Sequence, residues 1–217
     1  MMETIKVKIA GPEYINYVPD IEKSIIQASK VKGTGIAKRS KEYLSNKILE
    51  GKAVIAITQD GEFAGFCYIE SWGHKKFVAN SGLIVKEKFR GNGLAMKIKD
   101  EAFRLSRKLF PEAKIFGLTT SLAVMKINSA LGYKPVTFSE LTDDEEFWKG
   151  CQSCAYYDVL FRTNRMHCLC TGMLYDPQKE ERGRQVRRYK KRNGARTKKS
   201  RKDILQYLYL KNKKNER

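Results

Sequence analysis

The sequence predicts an α/β fold of the α+β kind, and three observations carry that prediction. Residues 81–108 (SGLIVKEKFRGNGLAMKIKDEAFRLSRK) read as a buried strand, a glycine turn and an amphipathic helix. Two strand-like runs, Ala53–Thr58 and Phe63–Trp72, flank Gln59-Asp60-Gly61-Glu62, and Asp-Gly between such runs marks a hairpin. Helical and strand periodicities also alternate along the chain, so both kinds of element share one core.

In chain order, residues 4–10 (TIKVKIA) alternate apolar and polar side chains like a first strand. Residues 18–31 place Ile21, Ile25, Ile26 and Ala28 on one helix face, with Pro19 and Asp20 at the start, where both are tolerated. Lys32-Gly33-Thr34-Gly35 breaks that helix. A second one over 40–49 buries Tyr43, Leu44 and Ile48 and stops at Gly51. After the hairpin come the strand at 82–85, the glycine turn, a helix to about residue 109, a strand at 113–119 and a helix at 122–131. A short helix is expected over 141–148, where Thr142 is suited to cap and four acids favour the N-terminal dipole. Residues 155–161 read as a strand.

The turn Arg90-Gly91-Asn92-Gly93-Leu94-Ala95 carries the chemistry. A strand-to-helix junction gathers unpaired N–H groups at the positive end of a helix dipole, which suits a phosphate. Gly91 and Gly93 have no Cβ to hold a pyrophosphate off the backbone, and Arg90 adds charge. The pattern is neither G-x-G-x-x-G nor a P-loop, since no terminal Lys-Ser/Thr follows.

Arg-x-x-Gly-x-Ala after Leu83-x-Val85 resembles the acyl-CoA pyrophosphate loop of the GNAT N-acetyltransferase superfamily, with Arg90, Gly93 and Ala95 in its fixed positions. The element order over 4–163 is similar as well. The resemblance implies a mixed central sheet flanked by helices, acyl-CoA as cosubstrate, and transfer of an acetyl group to an amine. It also implies that Leu83 and Val85, with Gly91, Asn92, Gly93, Leu94 and Ala95, present backbone to CoA. Residues 121–133 resemble the helix before the superfamily's Leu-Gly-Phe ending, with Leu131, Gly132 and Tyr133 matching. Where a Tyr commonly serves as general acid, this chain has Asn128, which can orient CoA or the thioester but cannot donate the proton. No acid stands near 79–81 to act as base, leaving Glu70 and His74 as candidates at the end of the preceding strand, with Thr120 and Ser121 as substrate contacts.

Residues 124–142, 147–154 (FWKGCQSC) and 168–177 (CLCTGMLYDP) further resemble a bacterial N-acetylglutamate synthase-like subgroup linked with arginine biosynthesis. That implies glutamate or a related amino acid as acceptor and acetyl or succinyl as the transferred group. A dicarboxylate needs cations, and Lys126, Lys134, Lys149, Arg162 and Arg165 are the candidates.

Four of the five cysteines fall as Cys151-x2-Cys154 and Cys168-x-Cys170, separated by 13 residues. In a reducing compartment this spacing reads as a thiolate zinc site, with His167 as a substitute ligand; reduced thiols packing the last strand and a redox pair are the other readings. Cys67, on an alternating strand, reads as core.

The formal charge of +19 is uneven: residues 178–217 hold 17 Lys/Arg and 4 Asp/Glu, net +13. Three segments follow: 1–163 as the acyltransferase domain, 164–177 as a Cys-rich extension completing the cluster, and 178–217 as a basic tail. Residues 178–202 are too poor in apolar surface to order alone, while 201–211 can form a short amphipathic helix. The tail's cations suit nucleic acid, an acidic partner or an acidic membrane face. The alternative function is therefore a nucleic-acid or ribosome-associated protein on a GNAT scaffold. With no run of about 18 apolar residues and no apolar leader, no transmembrane segment is expected. A cytoplasmic location is the default, and a homodimer is compatible with the pattern.

Overall fold

The computed structural model describes residues 4–193. They form β1 (Ile5–Ala10), α1 (Val18–Ser29), α2 (Lys41–Leu49), β2 (Ala53–Thr58), β3 (Phe63–Trp72) and β4 (Phe77–Val85). Then follow α3 (Leu94–Leu109), β5 (Lys114–Thr119), α4 (Leu122–Ala130), β6 (Lys134–Val136), α5 (Glu145–Lys149), α6 (Tyr157–Arg162), β7 (Thr171–Tyr175) and α7 (Pro177–Asn193). The strands make one mixed seven-stranded sheet in the order β1-β2-β3-β4-β5-β7-β6, antiparallel throughout except for the parallel β4–β5 pair.

Both sheet faces are covered, and the central strands show why. Along β2, Ala53 and Ile55 join Ile21, Ile25, Leu44 and Ile48 of α1 and α2. Their neighbours Val54 and Ala56 join Ile98, Ala102 and Leu105 of α3. Successive strand residues point to opposite faces, so a run buried on both sides must be apolar throughout.

The long helix α3 is built as expected, and its last turn carries Arg107 and Lys108, which suit the negative end of its dipole. Toward the C-terminal end, Phe116, Phe138, Leu141, Trp148, Leu160 and Leu174 form a separate aromatic cluster. Trp148 Nε1 donates to the Thr142 carbonyl at 2.8 Å and Asp144 Oδ2 accepts from Gly73 N at 2.9 Å, tying this element to the β3–β4 turn.

Four expectations change. Residues 155–161 are not a strand: Tyr157–Arg162 is helical, with Tyr157 and Phe161 in ring contact and Arg162 paired to Asp158 one turn back. The place beside β5 belongs instead to Thr171–Tyr175, so the segment 164–177 supplies a sheet strand and the compact unit runs through Asp176. The helix within 141–148 begins later, because Asp144 caps it and Thr142 is buried, accepting from Asp144 N at 3.2 Å. Finally, 177–193 is a helix rather than extended chain. Pro177 starts it, Glu180 lies in its first turn, and Arg184 reaches Glu180 at i,i+4. Lys, Arg, Gln and Glu are good helix formers, a preference that the low apolar content concealed. The expected helix over 201–211 lies outside the described residues.

Candidate active site

The parallel ladder ends at Ala79↔Phe116, although β4 runs on to Val85 and β5 to Thr119. The strands part there, and a cleft of about 260 Å³ opens between them. Asn80, Gly82 and Leu83 of β4 face Gly117 and Thr119 of β5 across it. The loop 33–39, Thr120, Ser121, Asn128 and the C-terminal element supply the remaining walls.

Gly82 sets the course of β4. It sits at φ +66°, where β3–β4 pairing slips between Phe66 and Tyr68, and a Cβ there would lie 2.6 Å from the Tyr68 ring. Only glycine allows both the conformation and the approach. The bulge re-aims the strand into the cleft.

Beyond Val85 the glycine turn is held by Arg90, whose Nε donates to the Val85 carbonyl at 3.0 Å. Gly91 and Gly93 have φ of +83° and +73°, and nothing lies within 4 Å of a Cβ on either. Gly93 caps α3 from the left-handed region, and no acid stands in the first turn of that helix. Open backbone at a dipole's positive end is an anion seat. Asn92 is exposed and Ala95 half-buried, whereas the Leu94 side chain is buried in the core, so Leu94 can offer only its backbone.

Of the predicted side-chain participants, Asn128, Thr120 and Ser121 line the cleft. Asn128 is 1% exposed. Thr120 Oγ1 accepts from Gly35 N at 3.1 Å, fastening the loop over the end of β5. Glu70 is elsewhere: it is ion-paired with Lys47, accepts from Tyr43 Oη at 3.4 Å and does not line the cleft. A carboxylate committed to a buried lysine and lying outside the cleft has a structural place in the fold. His74 is exposed in the β3–β4 turn. Among the described residues, no Asp or Glu lines the cleft.

The expected acceptor cations do not gather either. Lys126 and Lys134 are exposed, Lys149 pairs with Glu146, Arg162 with Asp158, and Arg165 with Glu145. The structure instead presents Arg39, which the sequence pattern does not single out. Its Nε donates to Tyr68 Oη at 2.8 Å, and its Nη1 donates to the carbonyls of Lys38 and Gly150 at 2.9 and 3.2 Å. All three partners are neutral. Arg39 lines the cleft with no carboxylate partner among the described residues.

Cys151, Cys154, Cys168 and Cys170 come together along one wall of the cleft as free thiols. Burial, then the neighbouring thiol, pushes Cys151 up to about 11, and burial raises Cys170 as well. Cys151, Cys168 and Cys170 pack against the aromatic cluster. Among the described residues, no group of three or more Cys, His, Asp or Glu is placed to hold a metal ion. The zinc reading is thus unsupported, and reduced thiols packing the end of the sheet describe what is seen. His167 is exposed on the connecting turn. Cys67 is buried between β3 and α3, as expected.

No family model matches the sequence, and no curated protein matches it. Solved structures do match. A protein from Mycobacterium tuberculosis in complex with CoA superposes with TM-score 0.58 at 15% identity, over 79% of this chain and 98% of that one. N-acetylglutamate synthase from Neisseria gonorrhoeae, with coenzyme A and N-acetyl-glutamate, gives 0.57 at 16% identity, over 81% of this chain and 36% of that one. The GNAT-superfamily phosphinothricin acetyltransferase from Sinorhizobium meliloti, with acetyl-CoA, gives 0.54 at 13%, over 81% and 89%. The chain has the GNAT fold. This chain spans about a third of the Neisseria synthase, so the likeness covers one portion of that larger protein. Among the described residues, no helix of this GNAT fold is long and apolar enough to cross a membrane.

Proposed function

We propose that the chain is an acyl-CoA-dependent N-acyltransferase that modifies the amine of a small carboxylate-bearing substrate, glutamate or a related amino acid, with a place in arginine biosynthesis. The observation that carries the reading is the cleft itself. Parted strands lead from an anion seat at Gly91–Gly93 to a wall bearing the uncompensated guanidinium of Arg39. CoA-bound and acetyl-CoA-bound proteins share the fold, which supports the donor class.

In this reading Arg90 and the N–H groups around Gly91, Asn92, Gly93, Leu94 and Ala95 hold the pyrophosphate. With its β5 side unpaired, the β4 backbone from Leu83 to Val85 bonds the pantetheine arm and polarises the thioester carbonyl, as preorganised donors do for a developing oxyanion. Arg39 grips the acceptor's carboxylate. The acceptor's ammonium must shed a proton before it attacks, and with no acid lining the cleft that proton leaves through water. Asn128 orients the acyl-CoA by hydrogen bonding and leaves the thiolate to be protonated from solvent.

The test is calorimetric titration with acetyl-CoA and succinyl-CoA, followed by thiol release against a panel of amino acids that includes glutamate and ornithine. Micromolar binding with release for one amino acid is the expected result. No binding of either thioester would reduce the glycine turn to a connector.

A second reading is favoured by one observation. The helix Pro177–Asn193 carries 8 Lys/Arg against 2 Glu, a charge density suited to phosphate backbones. Under that reading, removing residues 177–217 abolishes salt-sensitive RNA binding; under the first, turnover survives the deletion.

A further inference from the structure

Lys99, on the inner face of α3, is 2% exposed, and its Nζ donates to the Asn80 carbonyl at 3.1 Å. The comparison with Lys47 is instructive. Lys47 is also buried, but Glu70 neutralises it. Lys99 has no such partner among the described residues. The titratable groups facing it are the Cys67 thiol from β3 and the Tyr133 phenol beyond α4, whose ring centroid lies 5.8 Å from Nζ, with Tyr175 behind Tyr133. Burial holds the thiol and the Tyr133 phenol uncharged by pushing both upward, and it pulls the lysine down.

Other polar atoms around this lysine are also unsatisfied. Asn80 Nδ2, Asn128 Oδ1 and Tyr133 Oη are buried without a hydrogen-bond partner. Such atoms are uncommon in folded proteins, and each costs free energy until something bonds to it. Asn80 Nδ2 is a donor and Tyr133 Oη can donate, while Asn128 Oδ1 is an acceptor whose amide can turn to present Nδ2 instead.

Their position says what would supply one. Asn80 is the first β4 residue past the last β4–β5 pair, so the group stands at the apex of the parted strands. Gly117 keeps the apex open: a Cβ there would lie 3.4 Å from the Asn80 carbonyl, 3.7 Å from Lys99 Nζ and 4.0 Å from Asn128 Nδ2. With the pyrophosphate seated beyond Val85, the pantetheine arm runs back along β4, and its acyl group arrives at this apex. An acetyl methyl would bond to none of these atoms. An acyl chain ending in a carboxylate would accept from Lys99 Nζ and Asn80 Nδ2, and from Asn128 once its amide turns to present Nδ2.

We infer that the acyl donor is a dicarboxylic monothioester of CoA, whose free carboxylate is held at the strand apex by Lys99 with Asn80 and Asn128. This rests on the CoA-site reading above and specifies its donor. The entering carboxylate would supply Lys99 with the counter-charge it lacks among the described residues, so the pair forms as ammonium and carboxylate in a water-poor site.

The test uses the full chain with free CoA, acetyl-CoA and succinyl-CoA as probes. Calorimetry gives affinity, and thiol release with glutamate gives kcat/KM. Succinyl-CoA is expected to exceed acetyl-CoA by roughly 10- to 100-fold in kcat/KM. Lys99→Met should erase that preference while leaving free-CoA affinity unchanged. Gly117→Ala, whose methyl would occupy the apex in ordinary contact with the Asn80 carbonyl and Lys99 Nζ while leaving the lysine in place, should disfavour succinyl-CoA more than acetyl-CoA. A wild-type preference for acetyl-CoA, or a Lys99→Met loss equal for both donors, overturns the inference and leaves the CoA site standing. Failure of free CoA itself to bind overturns both.

Discussion

Arg39→Met tests the acceptor end of the cleft. In the folded protein the guanidinium spends Nε on Tyr68 and Nη1 on two carbonyls, leaving Nη2 uncommitted and the positive charge unbalanced. A charge-assisted bond to a substrate carboxylate contributes about 1.5–3 kcal/mol, which corresponds to a rise of roughly 10- to 150-fold in the acceptor's KM when it is lost. The variant also strips the Tyr68 hydroxyl and the Gly150 carbonyl of a partner, at a stability cost of about 1–3 kcal/mol. Steady-state thiol release at saturating acyl-CoA, with calorimetric CoA affinity measured alongside, separates the two effects. CoA affinity should stay within about twofold, since the anion seat is built from other residues. An unchanged acceptor KM, or a loss of CoA affinity as large as the loss of acceptor affinity, would refute the assignment of Arg39 to the acceptor.

Three further outcomes are expected. Glu70→Gln should lower stability by about 1–3 kcal/mol in urea unfolding, by leaving the buried Lys47 with only the half-exposed Glu50, 3.5 Å away, as a counter-charge, while turnover stays within about threefold; a fall in turnover by two orders of magnitude would restore Glu70 as the base. Gly82→Ala should cost about 2–4 kcal/mol through its positive φ and its contact with the Tyr68 ring, and should weaken CoA binding because β4 can no longer enter the cleft; a fully stable variant would show that the bulge is dispensable. For Lys99 the pKa is lower folded than unfolded, so between the two the unfolded chain binds the extra proton and stability rises with pH, the full penalty applying below the folded pKa. Lys99→Met should therefore raise Tm at neutral pH, and that gain should disappear above about pH 10.4, where the lysine is neutral in both states; a gain independent of pH would contradict an uncompensated buried lysine.

The sequence is informative where periodicity and burial point the same way. β2 and β3 lie where expected because runs buried on both faces are apolar throughout and Asp60-Gly61 marks the turn between them. The glycine turn is legible because Gly91 and Gly93 take backbone conformations that few other residues tolerate. The C-terminal region misleads for a corresponding reason. In 155–161 the aromatic and branched residues suggest a strand, yet only Leu160 of that stretch is buried, and the helix is set by i,i+4 contacts. Meanwhile Thr171-Gly172-Met173-Leu174-Tyr175 reads locally as part of a cysteine motif. Its value as a strand depends on a vacant edge of β5, and nothing local records that vacancy.

The missed site residues show a different limit. Arg39 and Lys99 are two of 43 Lys and Arg, and nothing in their neighbours along the chain distinguishes them. What distinguishes them is the absence of a counter-charge after folding, while Lys47, Lys149, Arg162 and Arg165 acquire one. For Arg165 the partner is 20 residues away, and for Lys47 it is the acid that the sequence nominates as base. Charge compensation is a tertiary property, fixed only when helix and strand partners meet. A buried or half-buried cation left unpaired beside a cleft therefore carries information about the ligand. Among the described residues Arg39 lines the cleft wall and Lys99 the strand apex without a carboxylate partner, and the proposed substrates would each bring a negative charge to one of them.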